Sequence, residues 1–136
     1  MKKITYESWV TSFVERLSEY FNLAGWTLRI KYQDKNEEHK GCDTYAEIEV
    51  NSTYLFANLV LFPQGKKDFE TGNIDQLAMA IVHELVHIFL DPFQDQMHPH
   101  LSLSSTPAFM DILEQQTQKL TMVLLKNFPK DLIPPR

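Results

Sequence analysis

The sequence predicts an α+β fold, on two observations of periodicity and one of order. Residues 26–32 and 45–50 alternate apolar and polar side chains, the two-residue period of half-buried strands. Residues 6–22, 73–90 and 106–128 repeat their apolar positions every three or four residues, the period of helices packed on one side. One helix precedes the strands and two follow them. The expected architecture is about three strands in a mixed or antiparallel sheet with three main helices, over residues 1–128, followed by a tail at 129–136.

In the first helix Val10, Phe13, Val14, Leu17 and Phe21 form the apolar face, with Trp9 and Tyr20 at its margin, and Ala24-Gly25 ends it. Trp26 to Tyr32 reads as the first strand. Residues 33–41 are charged and polar, a solvated loop that holds His39. Tyr45 to Val50 reads as the second strand, and Asn51-Ser52 as a turn. Tyr54 to Phe62 is more continuously apolar and reads as a third strand, which Pro63-Gln64-Gly65-Lys66-Lys67 breaks. The next helix opens at Asn73, with Gln76 at capping-box spacing and Asp75 suited to the positive end of the helix dipole. Its apolar face is Ile74, Leu77, Ala78, Ile81, Val82, Leu85 and Phe89, and Asp91-Pro92 is expected to end it. A loop runs to Ser105. Thr106 then reads as the N-cap of the last helix with Pro107 in its first turn, and Leu113, Thr117, Leu120, Leu124 and Phe128 as its buried stripe. The proline-rich tail cannot continue that helix and reads as extended or loose.

Composition narrows the function classes. The chain has 136 residues, of which 43% are hydrophobic, a globular value and enough to bury a core. The net charge of −5, with no basic cluster, counts against nucleic acid as the main partner. Cys42 is the only cysteine, so no internal disulfide forms and a reducing cytoplasm fits. The first residues carry two lysines but no apolar run, so neither a signal peptide nor a membrane span is expected.

The chemistry lies in His83-Glu84-Leu85-Val86-His87. Two histidines four apart stand one above the other on a helix face and can converge on one zinc ion. Glu84 follows the first ligand, placed to take a proton from an activated water and pass it to a leaving amine. The helix that the motif requires is present around it. Imidazoles and a carboxylate on a mostly apolar helix would otherwise cost several kcal/mol to bury unpaired.

On these residues, Ala80 to His87 resembles the active-site helix of zincin-type metallopeptidases. The order of elements over residues 6–126 resembles small zincin-like proteins often encoded by bacteriophages and prophages and, more loosely, SprT-like and minimal gluzincin domains. The resemblance implies a zincin-like fold, a catalytic Zn2+ and hydrolysis of a peptide or protein substrate. It also implies a substrate-binding edge strand. The third strand is one candidate for it; an ordinary core strand is the other reading.

Catalytic zinc commonly has three protein ligands, so a third must be found. Glu114 is the first choice: it lies on the last helix, where gluzincins supply their glutamate, at the border of the apolar stripe. Asp111 and Gln118 share its face and could orient it. His98 and His100 are the all-histidine alternative, but the metzincin spacing is absent and no glycine follows His100. Asp91 would lie about 12 Å along a straight helix from His83, too far for two short side chains to share an ion easily, so an outer or capping role suits it better. The expected site is therefore His83, His87 and Glu114 on zinc with Glu84 as general base. The competing reading is a zincin-shaped module that binds metal or a partner protein and cleaves little, with the proline-rich tail as a docking segment.

Overall fold

The computed structural model describes residues 2–34 and 45–136, so the expectations on His39 and Cys42 fall outside the described residues. The chain is α+β, with four α-helices and one three-stranded mixed sheet among those residues. The first helix, α1, spans Tyr6–Tyr20. The Thr5 hydroxyl accepts the Ser8 amide at its start, which satisfies one otherwise orphan donor. Trp9 is not marginal: it is fully buried with Val10, Phe13 and Leu17, and its indole donates to the Pro134 carbonyl at 2.8 Å.

The strands are β1 (Thr27–Tyr32), β2 (Ala46–Asn51) and β3 (Phe56–Leu61), in the order β1-β3-β2. β3 runs parallel to β1 and antiparallel to β2. It is thus the central strand, and of its two readings the core one holds. Ala57 to Phe62 are all buried, and so continuous an apolar run is what a strand covered on both faces requires. The strand at the sheet edge beside the motif helix is β2.

The segment read as a breaker after β3 is a fourth helix, α2, over Pro63–Thr71. Pro63 occupies the first turn, where a missing amide costs nothing and the fixed φ favours the helix. Gly72 closes α2 in the left-handed conformation, φ 86°.

α3 spans Ile74–Met97 and runs through Pro92 instead of ending before it. The proline removes one amide donor, yet the turn beyond it is held from outside: Phe93 stacks on Phe109 of the last helix at 6.0 Å. The capping box at its start does not form; the Asn73 side chain makes no cap bond. A 3-10 turn, His98–His100, follows, and α4 spans Thr106–Lys126. Ser105, not Thr106, is its N-cap residue, while the Thr106 hydroxyl donates to the Ser102 carbonyl. α4 buries Leu113, Thr117 and Thr121, the threonines returning their hydroxyls to carbonyls one turn back, while Leu120 of the expected stripe is exposed. The tail is docked rather than loose. Arg16 holds the Asp131 carbonyl and the Arg136 guanidinium donates to the Phe69 carbonyl, both at 2.7 Å.

One hydrophobic cluster joins α1, β3 and α3. Leu77, Ile81, Val82, Leu85 and Val86 of α3 are 0% exposed, so the motif helix is fixed by the core. Among the described residues no helix is long and apolar enough to cross a membrane.

Candidate metal centre

The buried side of α3 leaves His83, Glu84 and His87 on the opposite side, facing β2 and α4. The His83 and His87 side chains keep only 14% and 20% exposure. Their ring centroids are 5.1 Å apart. α4 runs back along α3 and delivers Glu114 between them. Its Oε1 lies 2.6 Å from His83 Nε2 and its Oε2 lies 3.3 Å from His87 Nε2.

The donor atoms of His83, His87 and Glu114 all lie within 4.8 Å of one another. Three ligands on a tetrahedral zinc would sit roughly 3.4 Å apart, so this grouping needs only small adjustment to hold one. The outer contacts match as well. Gln118 Oε1 lies 2.9 Å from His83 Nδ1, which assigns the proton to Nδ1 and turns Nε2 toward Glu114. His83 Nε2 and a Glu114 carboxylate oxygen 2.6 Å apart call for a cation between them, proton or metal. Burial pushes the His87 imidazole below its ordinary pKa, partly opposed by Glu114, and the neutral ring it favours is the form that ligates metals.

Glu84 lines the same cleft, a cavity of about 480 Å³ bounded also by Ile48, Val50, Asp91 and Met110. Burial pushes its carboxyl pKa up to about 8, aided by the nearby charges of Glu114 and Glu47 and opposed by a hydrogen bond from the Ile48 backbone. That bond comes from the edge strand, so β2 and the acid/base candidate are fixed to each other.

The alternative ligands go elsewhere. Asp91 is outside the donor cluster and bonds Ser52, in the turn after β2, through both side chain and backbone. It ties α3 to the turn after β2 and bonds none of the three clustered residues. His98 and His100 sit exposed on the 3-10 turn and do not join the cluster. Gln118, expected to orient Glu114, orients His83 instead. Its i+4 spacing from Glu114 marks the right face, but which partner it takes depends on the α3–α4 register. The Ile48 amide carries no side-chain signal and could not be found from sequence.

Comparison with protein-family models, curated proteins and solved structures finds no match to this chain.

Proposed function

We propose that this chain is a zinc-dependent peptide hydrolase of zincin-like architecture, with His83, His87 and Glu114 as the metal ligands. The observation that carries the reading is the convergence of those three donors beside Glu84, at a sheet edge. Zinc, when bound, would supply a Lewis acid that polarises a carbonyl and brings the pKa of water toward about 7. Glu84 accepts the proton of the attacking water and returns it to the departing amine. Its burial raises the carboxyl's affinity for a proton, which suits a group that must take one up and hold it until the amine departs. His83 is kept in one tautomer by Gln118.

β2 suits an extended substrate. Tyr45 points its carbonyl inward, to the Phe62 amide, while the Ile48 amide reaches Glu84. By the alternation of a strand, Ala46 and Val50 turn their backbone groups outward with Ile48. A peptide pairing along that edge would bring a carbonyl past Glu84 and the ligand cluster.

The test is cleavage of an unstructured protein such as casein by zinc-loaded wild type and by Glu84→Gln. The expected result is cleavage by the wild type only, with equal metal content in both. Equal metal content with no cleavage of any unfolded substrate by the wild type would favour the metal- or partner-binding module instead.

A further inference from the structure

Two cavities meet at the acid/base candidate, and Glu84 and Ala46 line both. The larger, about 480 Å³, runs along β2 as far as Val50 and is walled by Asp91 and Gln94 of α3 and Met110 of α4. The smaller, about 260 Å³, lies on the Tyr45 side. There α3 offers Gln76, Met79 and Ala80, one turn before the histidines, and α4 offers Gln118. A peptide paired along β2 therefore finds room for side chains on both sides of the bond at Glu84, which is what an internal peptide bond needs.

The two cavities differ in charge. The larger is lined by the carboxylates of Glu47, Glu84, Asp91 and Glu114, and by no lysine or arginine among the described residues. In the proposed reaction Glu114 holds the metal and Glu84 takes up the proton, which leaves the carboxylates of Glu47 and Asp91. Ser52 bonds Asp91, yet the Asp91 Oδ2 is buried and has no hydrogen-bond partner. A carboxylate oxygen kept from water without a partner is stabilised by a cation placed beside it. Apart from Glu84 and the His83 imidazole, the smaller cavity is lined by uncharged side chains.

Direction follows from pairing. Antiparallel pairing is the commoner form, and a strand antiparallel to β2 sets its earlier residues toward Val50 and its later ones toward Tyr45. We propose, resting on the hydrolase reading of this site, that the chain is an endopeptidase selective for basic segments. A lysine or arginine before the bond occupies the larger cavity, an uncharged residue after it occupies the smaller, and Asp91 selects the basic side chain.

The test uses a mixture of peptides acetylated and amidated at their ends, so that only internal bonds are offered. They are cut by the zinc-loaded full chain and the products are mapped by mass spectrometry. A lysine or arginine should lie one or two residues before the bond. Replacing it with norleucine should lower kcat/KM about fivefold at low salt, the upper range for a partly exposed ion pair. The difference should shrink in about 1 M salt, where charges are screened within about 3 Å. Asp91→Asn keeps an oxygen for Ser52 and should lose most of the preference at unchanged zinc content. Anisotropy of the same peptides, labelled, on zinc-loaded Glu84→Gln should rank them in the same order without cleavage. Cleavage with no basic preference, or with the basic residue after the bond, overturns the proposal and leaves the hydrolase reading standing. A preference that survives in Asp91→Asn overturns the role of Asp91. A zinc-loaded wild type that cuts none of the peptides removes the hydrolase reading and this proposal with it.

Discussion

α3 and α4 both bring side chains to the cluster of donor atoms, but they are held very differently. α3 sits in the hydrophobic cluster, with five side chains at 0% exposure on the side opposite the two histidines. α4 rests on α3 through Leu113, Thr117 and Thr121, two of them threonines, and its Glu114 side chain is 58% exposed. The histidine pair is therefore pre-set by packing that also folds the protein. The glutamate arrives on a helix whose own contribution to the core is small. A change in α3 should act on stability first and the site second; a change in α4 should do the reverse.

The largest effect that would break this contrast is in the core. Leu85→Ala should lower the unfolding free energy by about 2–5 kcal/mol, while Leu120→Ala should stay within about 0.5 kcal/mol of wild type, both by urea titration at a fixed low protein concentration. Equal costs would mean that α4 is as deeply anchored as α3. Next comes Gln118→Ala, which frees His83 without touching the core. Metal affinity should fall by about 10- to 100-fold with the urea midpoint of the metal-free protein unchanged, read by competition with a chromophoric chelator.

A pH series sharpens the same comparison. In the metal-free protein the Glu84 carboxyl is raised from 4.5 to about 8, so the folded state binds the proton more tightly than the unfolded one. Its cost is absent below the unfolded pKa, grows as pH rises, and is complete above about 8. Glu84→Gln should therefore gain in thermal stability over wild type progressively between about pH 5 and pH 8. A constant difference across that window would mean that the carboxyl is not buried as described. His87 acts in the opposite sense, its depressed pKa opposing the fold only in acid, and the Glu84 comparison leaves that contribution in place. The smallest effect is Ser52→Ala, which removes a side-chain bond to Asp91 and should cost about 0.5–1.5 kcal/mol with no loss of metal.

The α3/α4 contrast also explains what could be read from sequence. The histidine pair and Glu84 declare themselves because one helix carries them at fixed spacing. Glu114 stands out because it borders an apolar stripe, although the buried seam differs from that stripe: Thr121 is buried and Leu120 is exposed. Two strand positions follow from alternation and the third from a mostly apolar run, but the order β1-β3-β2 does not, since pairing depends on tertiary contacts that period alone does not encode. Two prolines misled in opposite ways. Pro63 starts a helix and Pro92 sits inside one, because a proline's effect depends on whether the missing amide was needed and on what packs beyond it.

Whether Glu114 completes a metal site with the two histidines is read from the zinc content of untagged protein, measured by mass spectrometry for wild type, Glu114→Ala, Asp91→Ala and His100→Ala. The account predicts about one zinc per chain in the wild type, in Asp91→Ala and in His100→Ala, and little in Glu114→Ala. Full zinc in Glu114→Ala, or its loss in His100→Ala, would contradict the assignment. A wild type that takes up no zinc even when it is supplied would remove the hydrolase reading altogether.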